Sequence, residues 1–262
     1  MTPATSETAH ATRRSARFVA WVRAWRAGFI PYDDVVDEIE ATEDHLLADA
    51  TAEGDERPLR EALATFSSLH PDQIQLVLPA PGDPRGLPGP QTAFTGEALT
   101  TGEGVLAGEV GLVPAERHHT SGSGVSFRNV VWRAFPLPAD VVAAPHSATA
   151  AEAEAELTGA LVEATTALTD LDIAQWRPEL AGALANLRRH DSEGELPPVF
   201  EPRARRLYAR ASLLDRVLAL AGDTAPGGAV NALEAQQRDA ALRPLAAACR
   251  RALVAACNAP LS

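Results

Sequence analysis

The sequence VSFRNVVWRAFPL, residues 125–137, decides the fold. Its side chains alternate between two faces with the period of two that a β-strand has. Phe127, Val131 and Phe135 share one face, whereas Trp132 lies on the other. A strand that is apolar on both faces at its centre is typical of the interior of a sheet. The stretch therefore predicts an internal β-strand, with the rest of the sheet around it.

The residues before this strand show further strand patterns, interrupted by turns. In residues 73–78, large apolar side chains occupy every second position. Five glycines between residues 96 and 111 separate short apolar runs. Residues 79–90 contain five prolines and three glycines. Neither a helix nor a central strand tolerates that composition. We therefore predict a small, mostly antiparallel β-sheet within residues 73–142.

Helical periodicity fills the rest of the chain, and prolines and glycines mark several helix ends. The predicted helices cover residues 13–28, 31–47, 56–69, 148–171, 173–189, 203–221 and 228–258. The predicted fold class is α+β, predominantly helical, with the small sheet in the middle of the chain and a C-terminal four-helix segment. Residues 1–72, 73–146 and 147–262 are predicted to form three segments that pack as one unit, because a sheet segment of about 70 residues is marginal alone.

The first predicted helix carries an aromatic stripe. Phe18, Val22, Trp25 and Phe29 recur at helical spacing, and Trp21 widens the stripe. Because leaving such large side chains in water costs stability, we expect Trp21 and Trp25 to be buried within the protein. The acidic helix that follows would repel an anionic membrane, so we predict that the stripe does not lie on a lipid surface.

The composition excludes several classes of chemistry. All 23 basic residues are arginine, so the chain has no lysine for a P-loop, a Schiff base or a kinase-type site. Cys249 and Cys257 lie in one predicted helix about 12 Å apart, which is too far for a disulfide. No stretch approaches the roughly 18 apolar residues that a membrane span requires. These properties predict a soluble cytoplasmic protein that does not associate with membranes.

The net charge of −12 is distributed in blocks along the chain. Residues 1–30 carry five arginines and one glutamate, whereas residues 31–56 carry eleven acidic residues and no basic one. The acidic total disfavours general nucleic-acid binding. The opposed blocks predict that the first two helices pair as a hairpin, basic against acidic.

Two long loops contain the candidate ligand-binding residues. Residues 79–91 and 114–124 are predicted to lack secondary structure, and long loops of this kind are often functional. These loops and the strand after them supply the candidate ligand-binding residues Asp83, Arg85, His118, His119 and Arg128. Adjacent histidines on an extended backbone face opposite ways, so we predict no metal site, and no cofactor is assigned.

The catalytic motifs in the sequence fail in their context. Residues 102–108 have the glycine spacing of a dinucleotide-binding turn, but they lack the preceding strand and the following helix. Neither Ser121 nor Ser123 has the glycines two residues before and two residues after it, or the strand–helix setting, that a hydrolase elbow needs. A glycine-rich hairpin and a polar loop account for these stretches instead.

Two functions from different classes follow from these patterns. The first is a cytoplasmic, non-enzymatic interaction or regulatory protein whose charge-segregated surface meets a protein partner. The alternative is a small-molecule-binding protein or an enzyme, with a site between loops 79–91 and 114–124. A lysine-free composition rich in Ala, Arg and Pro is typical of a high-GC genome, so we predict a bacterial origin. Whether the protein is an enzyme and what its oligomeric state is are left open by the sequence.

Overall fold

Six strands form one sheet at the centre of the molecule. The computed structural model describes residues 13–41, 43–52, 55–89, 92–120, 126–138, 148–170, 196–223 and 232–262. The strands are β1 (Asp44–Asp49), β2 (Glu56–Pro58), β3 (Ile74–Val77), β4 (Gly104–Ala107), β5 (Val110–Thr120) and β6 (Ser126–Pro136). They lie in the order β2-β1-β6-β5-β4-β3. Strands β1 and β6 run parallel, and the other neighbouring pairs are antiparallel.

The prediction of a small, mostly antiparallel sheet within residues 73–142 was wrong, because the sheet is six-stranded and mixed. Residues predicted to be helical supply β1 and β2. The second helix ends at Glu40, and Ala41 after it takes a φ of 48°, which a right-handed helix cannot continue. Leu47 then enters the core in a strand, opposite Trp132 of β6. Pairing with a strand distant in sequence decided the conformation here.

The structure describes seven α-helices. They are α1 (Arg14–Arg26), α2 (Tyr32–Glu40), α3 (Leu59–Ala62), α4 (Ala93–Thr101), α5 (Ala150–Asp170), α6 (Pro202–Asp223) and α7 (Ala232–Cys257). The predicted helix over residues 56–69 is instead β2, α3 and the 3₁₀ helix Leu63–Ser68. The predicted four-helix C-terminal segment fits imperfectly, because the described part of residues 147–262 holds three helices. The predicted helix over residues 173–189 lies outside the described residues.

The two faces of the sheet are covered differently. The inner face, which carries Leu47, Leu112 and Trp132, packs against α1 and the C-terminal helices in one large core. The outer face, which carries Val113 and Phe135, is covered at one end by α4. Successive side chains of a strand point to opposite sides, so each residue of β5 and β6 belongs to one of these faces.

Helix α1 connects the sheet to the C-terminal helix α7. Phe18 and Val22 are fully buried, as the helical spacing predicted. Trp21 and Trp25 are half-buried against the same core, and Phe29 is 57% exposed. The aromatic stripe is therefore deepest at Phe18 and becomes exposed towards the end of the helix.

Arg23 is the charged residue that α1 buries in the core. Its guanidinium donates to the carbonyl oxygens of Pro71 at 3.1 Å, Cys257 at 2.5 Å and Ala259 at 2.8 Å. It also pairs with Asp72 at 3.2 Å. Since buried polar groups must be hydrogen-bonded, Arg23 satisfies carbonyl oxygens at the end of α7 that the helix itself leaves unpaired.

The arginines at the start of α1 reach other parts of the chain than α2. Arg13 pairs with Asp215 of α6 at 2.9 Å, and Arg14 pairs with Glu43 at 2.9 Å. The sequence predicted that the basic residues of the first helix pair with the acidic second helix. These two arginines instead pair with α6 and with the segment before β1.

The edge of the sheet at β3 is closed by a side chain. The Asn258 amide accepts a hydrogen bond from the Leu76 N–H at 2.8 Å and donates to the Leu76 carbonyl at 3.1 Å. These are the bonds that a neighbouring strand would make, so Asn258 protects this edge from pairing with another chain.

Gly111 and Gly96 offer a matched test of how α4 packs on the outer face. A Cβ added at Gly111 would lie 2.4 Å from the Phe94 ring, whereas one added at Gly96 would meet nothing within 4 Å. We expect Gly111→Ala to lower the free energy of unfolding by about 1–3 kcal/mol through overpacking. Gly96→Ala should raise it by about 0.5–1 kcal/mol, because glycine is unfavourable inside a helix. Urea denaturation measures both changes, and effects of the same sign would contradict this packing.

Candidate functional site

Asp83 and Arg85 lie in the turn after β3. Asp83 accepts a hydrogen bond from Arg85 at 2.6 Å and lies 3.4 Å from Arg250 and 3.8 Å from Arg251 of α7. Burial raises the pKa of Asp83, but the hydrogen bond from Arg85 and the arginine charges outweigh it and lower the pKa below its ordinary value. The carboxylate therefore ties this turn to α7 in its ionised form.

His118, His119 and Arg128 come together in the hairpin of β5 and β6. The prediction that residues 114–124 form a loop was wrong for residues 114–120, which continue β5 and pair with β6. The register places His118 opposite Arg128 and His119 opposite Phe127. Residues 121–125, between the two strands, lie outside the described residues.

This hairpin extends beyond the strands beside it. Strand β4 pairs with residues 110–112 of β5, and β1 pairs with residues 129–134 of β6. We refer to residues 114–120 and 126–128 as the arm. Residues 114–117 have β6 on one side only, and residues 118–120 with 126–128 form a two-stranded tip beyond β1. No hydrogen bond or ion pair in the described part of the chain joins the arm to Asp83 or Arg85, so the predicted ligand residues fall into two separate groups.

The two faces of the arm carry different side chains. On the outer face, the rings of His119 and Phe127 stack with centroids 4.8 Å apart and an interplanar angle of 10°. His119 Nε2 also lies 3.3 Å from Asn129 Oδ1. On the inner face, His118 is exposed and lies 3.5 Å from Glu116. Phe127 is 50% exposed, so the arm presents an aromatic side chain to solvent.

The long edge of the arm has no strand beside it. From Pro114 to Thr120, the β5 backbone hydrogen-bonds with β6, and in the described residues no other backbone group pairs with it. Among the described residues, the C=O groups that point away from β6 in this stretch therefore have no backbone partner, and the same holds for the N–H groups after Pro114. Such an edge is a template on which another strand can pair.

The base of the arm borders a shallow cavity of about 190 Å³ on the outer face. Its lining includes Ala48, Ala115 and Val131. Arg117, which also lines it, binds Glu56 of β2 at 2.6 and 2.9 Å, and this hydrogen bond lowers the pKa of Glu56. The pair reaches from β5 to β2 across β6 and β1, and it therefore ties the arm to the far edge of the sheet.

A buried histidine lies near the base of the arm on the inner face. The Trp132 indole N–H donates to Nδ1 of His45 at 3.1 Å. An indole nitrogen is only a donor, so Nδ1 is the acceptor and the proton of the neutral ring is on Nε2. Nε2 lies 3.8 Å from a carboxylate oxygen of Glu43. In this tautomer His45 has no free lone pair, so it serves neither as a general base nor as a metal ligand.

Arg14 and two carboxylates complete this group. Glu43 accepts two hydrogen bonds from Arg14, at 3.1 and 2.9 Å, and Arg14 also binds Glu116 at 2.7 Å. Burial raises the pKa of Glu43, yet the contacts with Arg14 outweigh it and lower the pKa below its ordinary value. Sequence reasoning missed His45 because residues 31–47 were predicted to be one helix, and its position next to an acidic run was the only local signal.

The stability of the protein is expected to depend on pH through His45. Burial, the largest influence, lowers the pKa of His45 from 6.5 to about 4. The unfolded state therefore binds more protons between these values, so the contribution is complete above about pH 6.5 and is lost as the pH falls to about 4. The loss should be about 3 kcal/mol.

The His45→Gln variant isolates this contribution. Glutamine keeps an acceptor for Trp132 but does not titrate. Between pH 7 and pH 4, the free energy of unfolding of the variant should therefore fall by about 3 kcal/mol less than that of the wild type. The exposed His70→Gln serves as the control and should keep the wild-type slope. Equal slopes for His45→Gln and the wild type, measured by urea denaturation at several pH values, would show that His45 is not the titrating group.

The described residues lack both a metal-binding cluster and a membrane-spanning helix. No cluster of three or more His, Cys, Asp or Glu side chains in these ranges is arranged to hold a metal ion. No helix in the described part of the chain is long and apolar enough to cross a membrane.

Comparison with known proteins places the chain among mycobacterial relatives. The model of the Rv1486c-like protein N-terminal domain matches residues 15–148, and that of the C-terminal domain matches residues 151–254. The chain is 28% identical to the uncharacterized protein Rv1486c of Mycobacterium tuberculosis (strain ATCC 25618 / H37Rv), over 92% of the chain and 94% of the relative. It is 25% identical to the uncharacterized protein ML1804 of Mycobacterium leprae (strain TN), over 94% and 97%. No solved structure matches it.

Proposed function

The chain belongs to the Rv1486c-like protein family, and we propose that it is a cytoplasmic, non-enzymatic interaction protein that binds a protein partner through the arm. The observation that carries this proposal is the free edge of β5 from Pro114 to Thr120. The relatives of the chain are mycobacterial, which is consistent with the bacterial origin that the composition predicts. The free cysteines Cys249 and Cys257 are what a reducing compartment allows.

The energetics of the arm favour a partner. The tip of the arm, residues 118–120 and 126–128, is two-stranded, and a two-stranded hairpin is only marginally stable in water by itself. Strand pairing along the β5 edge would satisfy backbone groups that are otherwise left to solvent. Phe127, which is 50% exposed, adds apolar area to the outer face of the arm on the neighbouring strand β6. Natural sheets protect their edges, as Asn258 does at β3, so an edge that is long and left free is a feature that function explains.

The histidines near the arm support binding rather than catalysis. Both ring nitrogens of His45 face other groups, and His119 is held by Phe127 and Asn129. A general base needs a nitrogen lone pair directed at a substrate proton. These two side chains are positioned to hold the sheet and the arm in place.

Photocrosslinking at two exposed phenylalanines tests the proposal. Benzoylphenylalanine replaces Phe127 on the arm or, as the matched control, Phe29 at the end of α1, which is exposed to a similar degree. In a mycobacterial host, position 127 should give a discrete protein adduct, whereas position 29 should not. Adducts from both positions, or from neither, would contradict the assignment of the arm as the binding surface.

A further inference from the structure

We propose that the arm binds a second copy of this chain, with the two β5 strands pairing antiparallel along residues 114–120 about a two-fold axis. This inference rests on the proposed function, since it names the partner of the same edge. Pairing of the two edges would join two six-stranded sheets into one continuous sheet. A two-fold interface of this kind is the commonest way in which identical chains associate.

The register of this pairing follows from the geometry of the edge. A two-fold axis perpendicular to the sheet keeps every side chain on its own face, so that a residue must stand opposite itself at the centre. The pairing that uses all of residues 114–120 is centred on Arg117. Glu116 of each copy then stands opposite His118 of the other, and Ala115 stands opposite His119.

The charges of the edge suit a second copy. The full-overlap register is also the one that places a carboxylate opposite each exposed imidazole, on the inner face, where directly opposed pairs interact. Arg117 stands opposite its own copy on the outer face, but each Arg117 is already bound by Glu56 of its own chain. The chain as a whole carries −12, so two copies repel one another over most of their surface. The edge, with one glutamate, one arginine and two histidines, is balanced in charge.

Sedimentation of the full chain gives the first test. Between about 1 and 100 µM, the range of a moderate affinity, the mass should rise from 27.6 kDa towards twice that value. His118→Glu places glutamate opposite Glu116 twice in the dimer and should weaken association at least ten-fold. His70→Glu is the matched control, because both histidine side chains are 70% exposed and His70 lies away from the arm. It should associate as the wild type does.

Single cysteines test the register directly. Facing residues of an antiparallel pair have Cα atoms about 4.5–5.5 Å apart, which allows a disulfide, so Arg117→Cys should form a covalent dimer on mild oxidation. Thr120→Cys is the control, because its two copies would lie about 20 Å apart along the paired strands. Cys249 and Cys257 are buried and should not contribute.

The outcomes separate this inference from the proposed function. A chain that stays monomeric at all concentrations, or Arg117→Cys and Thr120→Cys oxidising equally, overturns the second copy as partner. If position 127 then still gives a discrete adduct with a different protein, the arm remains a binding surface and only the partner was wrong. If neither association nor an adduct is found, both proposals fail.

Discussion

Replacing Arg23 by methionine is expected to lower the free energy of unfolding by about 3–5 kcal/mol. The guanidinium donates to three carbonyl oxygens, those of Pro71, Cys257 and Ala259. Methionine has a similar length but no donor, so these oxygens would lose their partner, and the hydrogen bonds to Cys257 and Ala259 are buried. Urea denaturation measures the loss.

Arg26→Met is the matched control for this experiment, because Arg26 lies one turn further along the same helix. It donates to one carbonyl oxygen, that of Leu69 at 3.0 Å, and its loss should cost about 1 kcal/mol. Losses of similar size for the two variants would show that the contacts of Arg23 do not hold α1 to the C-terminal helix. Coincident unfolding transitions by two spectroscopic probes would, in addition, support our prediction that residues 1–72, 73–146 and 147–262 unfold as one unit.

Trp132→Ala should be destabilising to a similar extent, by about 3–5 kcal/mol. Trp132 is fully buried, its ring centroid lies 4.8 Å from that of Phe18, and its indole N–H donates to His45. Truncation leaves a cavity at the centre of the inner face and removes the donor of His45 Nδ1. The melting temperature and the urea midpoint should both fall.

Trp25→Ala provides the comparison for this cavity. The sequence predicted that Trp25 is largely buried, and the structure shows it partly buried against the core at the end of the stripe, beside Tyr32 with ring centroids 5.3 Å apart. Its truncation should lower the melting temperature by a few degrees, less than Trp132→Ala does. An equal or larger effect of Trp25→Ala would mean that the core is centred on α1 rather than on β6.

The residues of the arm show how far sequence reasoning reached towards the candidate site. His118 and His119 were selected from the sequence as residues of an irregular loop and Arg128 as a residue of the strand after it, and the structure places all three on one hairpin. The cross-strand pairing of His118 with Arg128 and the free edge of β5 could not be predicted, because both depend on where β4 and β1 end. His45 was also missed, because its neighbour Trp132 lies 87 residues further along the chain and local patterns do not show that contact.

Local periodicity by itself determined β6 and the two faces of that strand, the extent of α1, and the burial of Phe18 and Val22. These features depend on which side of one helix or strand is apolar, and the spacing of apolar residues within that element is enough to predict it. Only the tertiary structure decided that residues 44–49 form a strand, because their conformation is set by parallel pairing with β6. It also decided that β5 continues past β4, since an edge is free only when no other segment reaches it. Side-chain alternation specifies a face, whereas the partner along an edge is chosen by contacts between residues far apart in the chain.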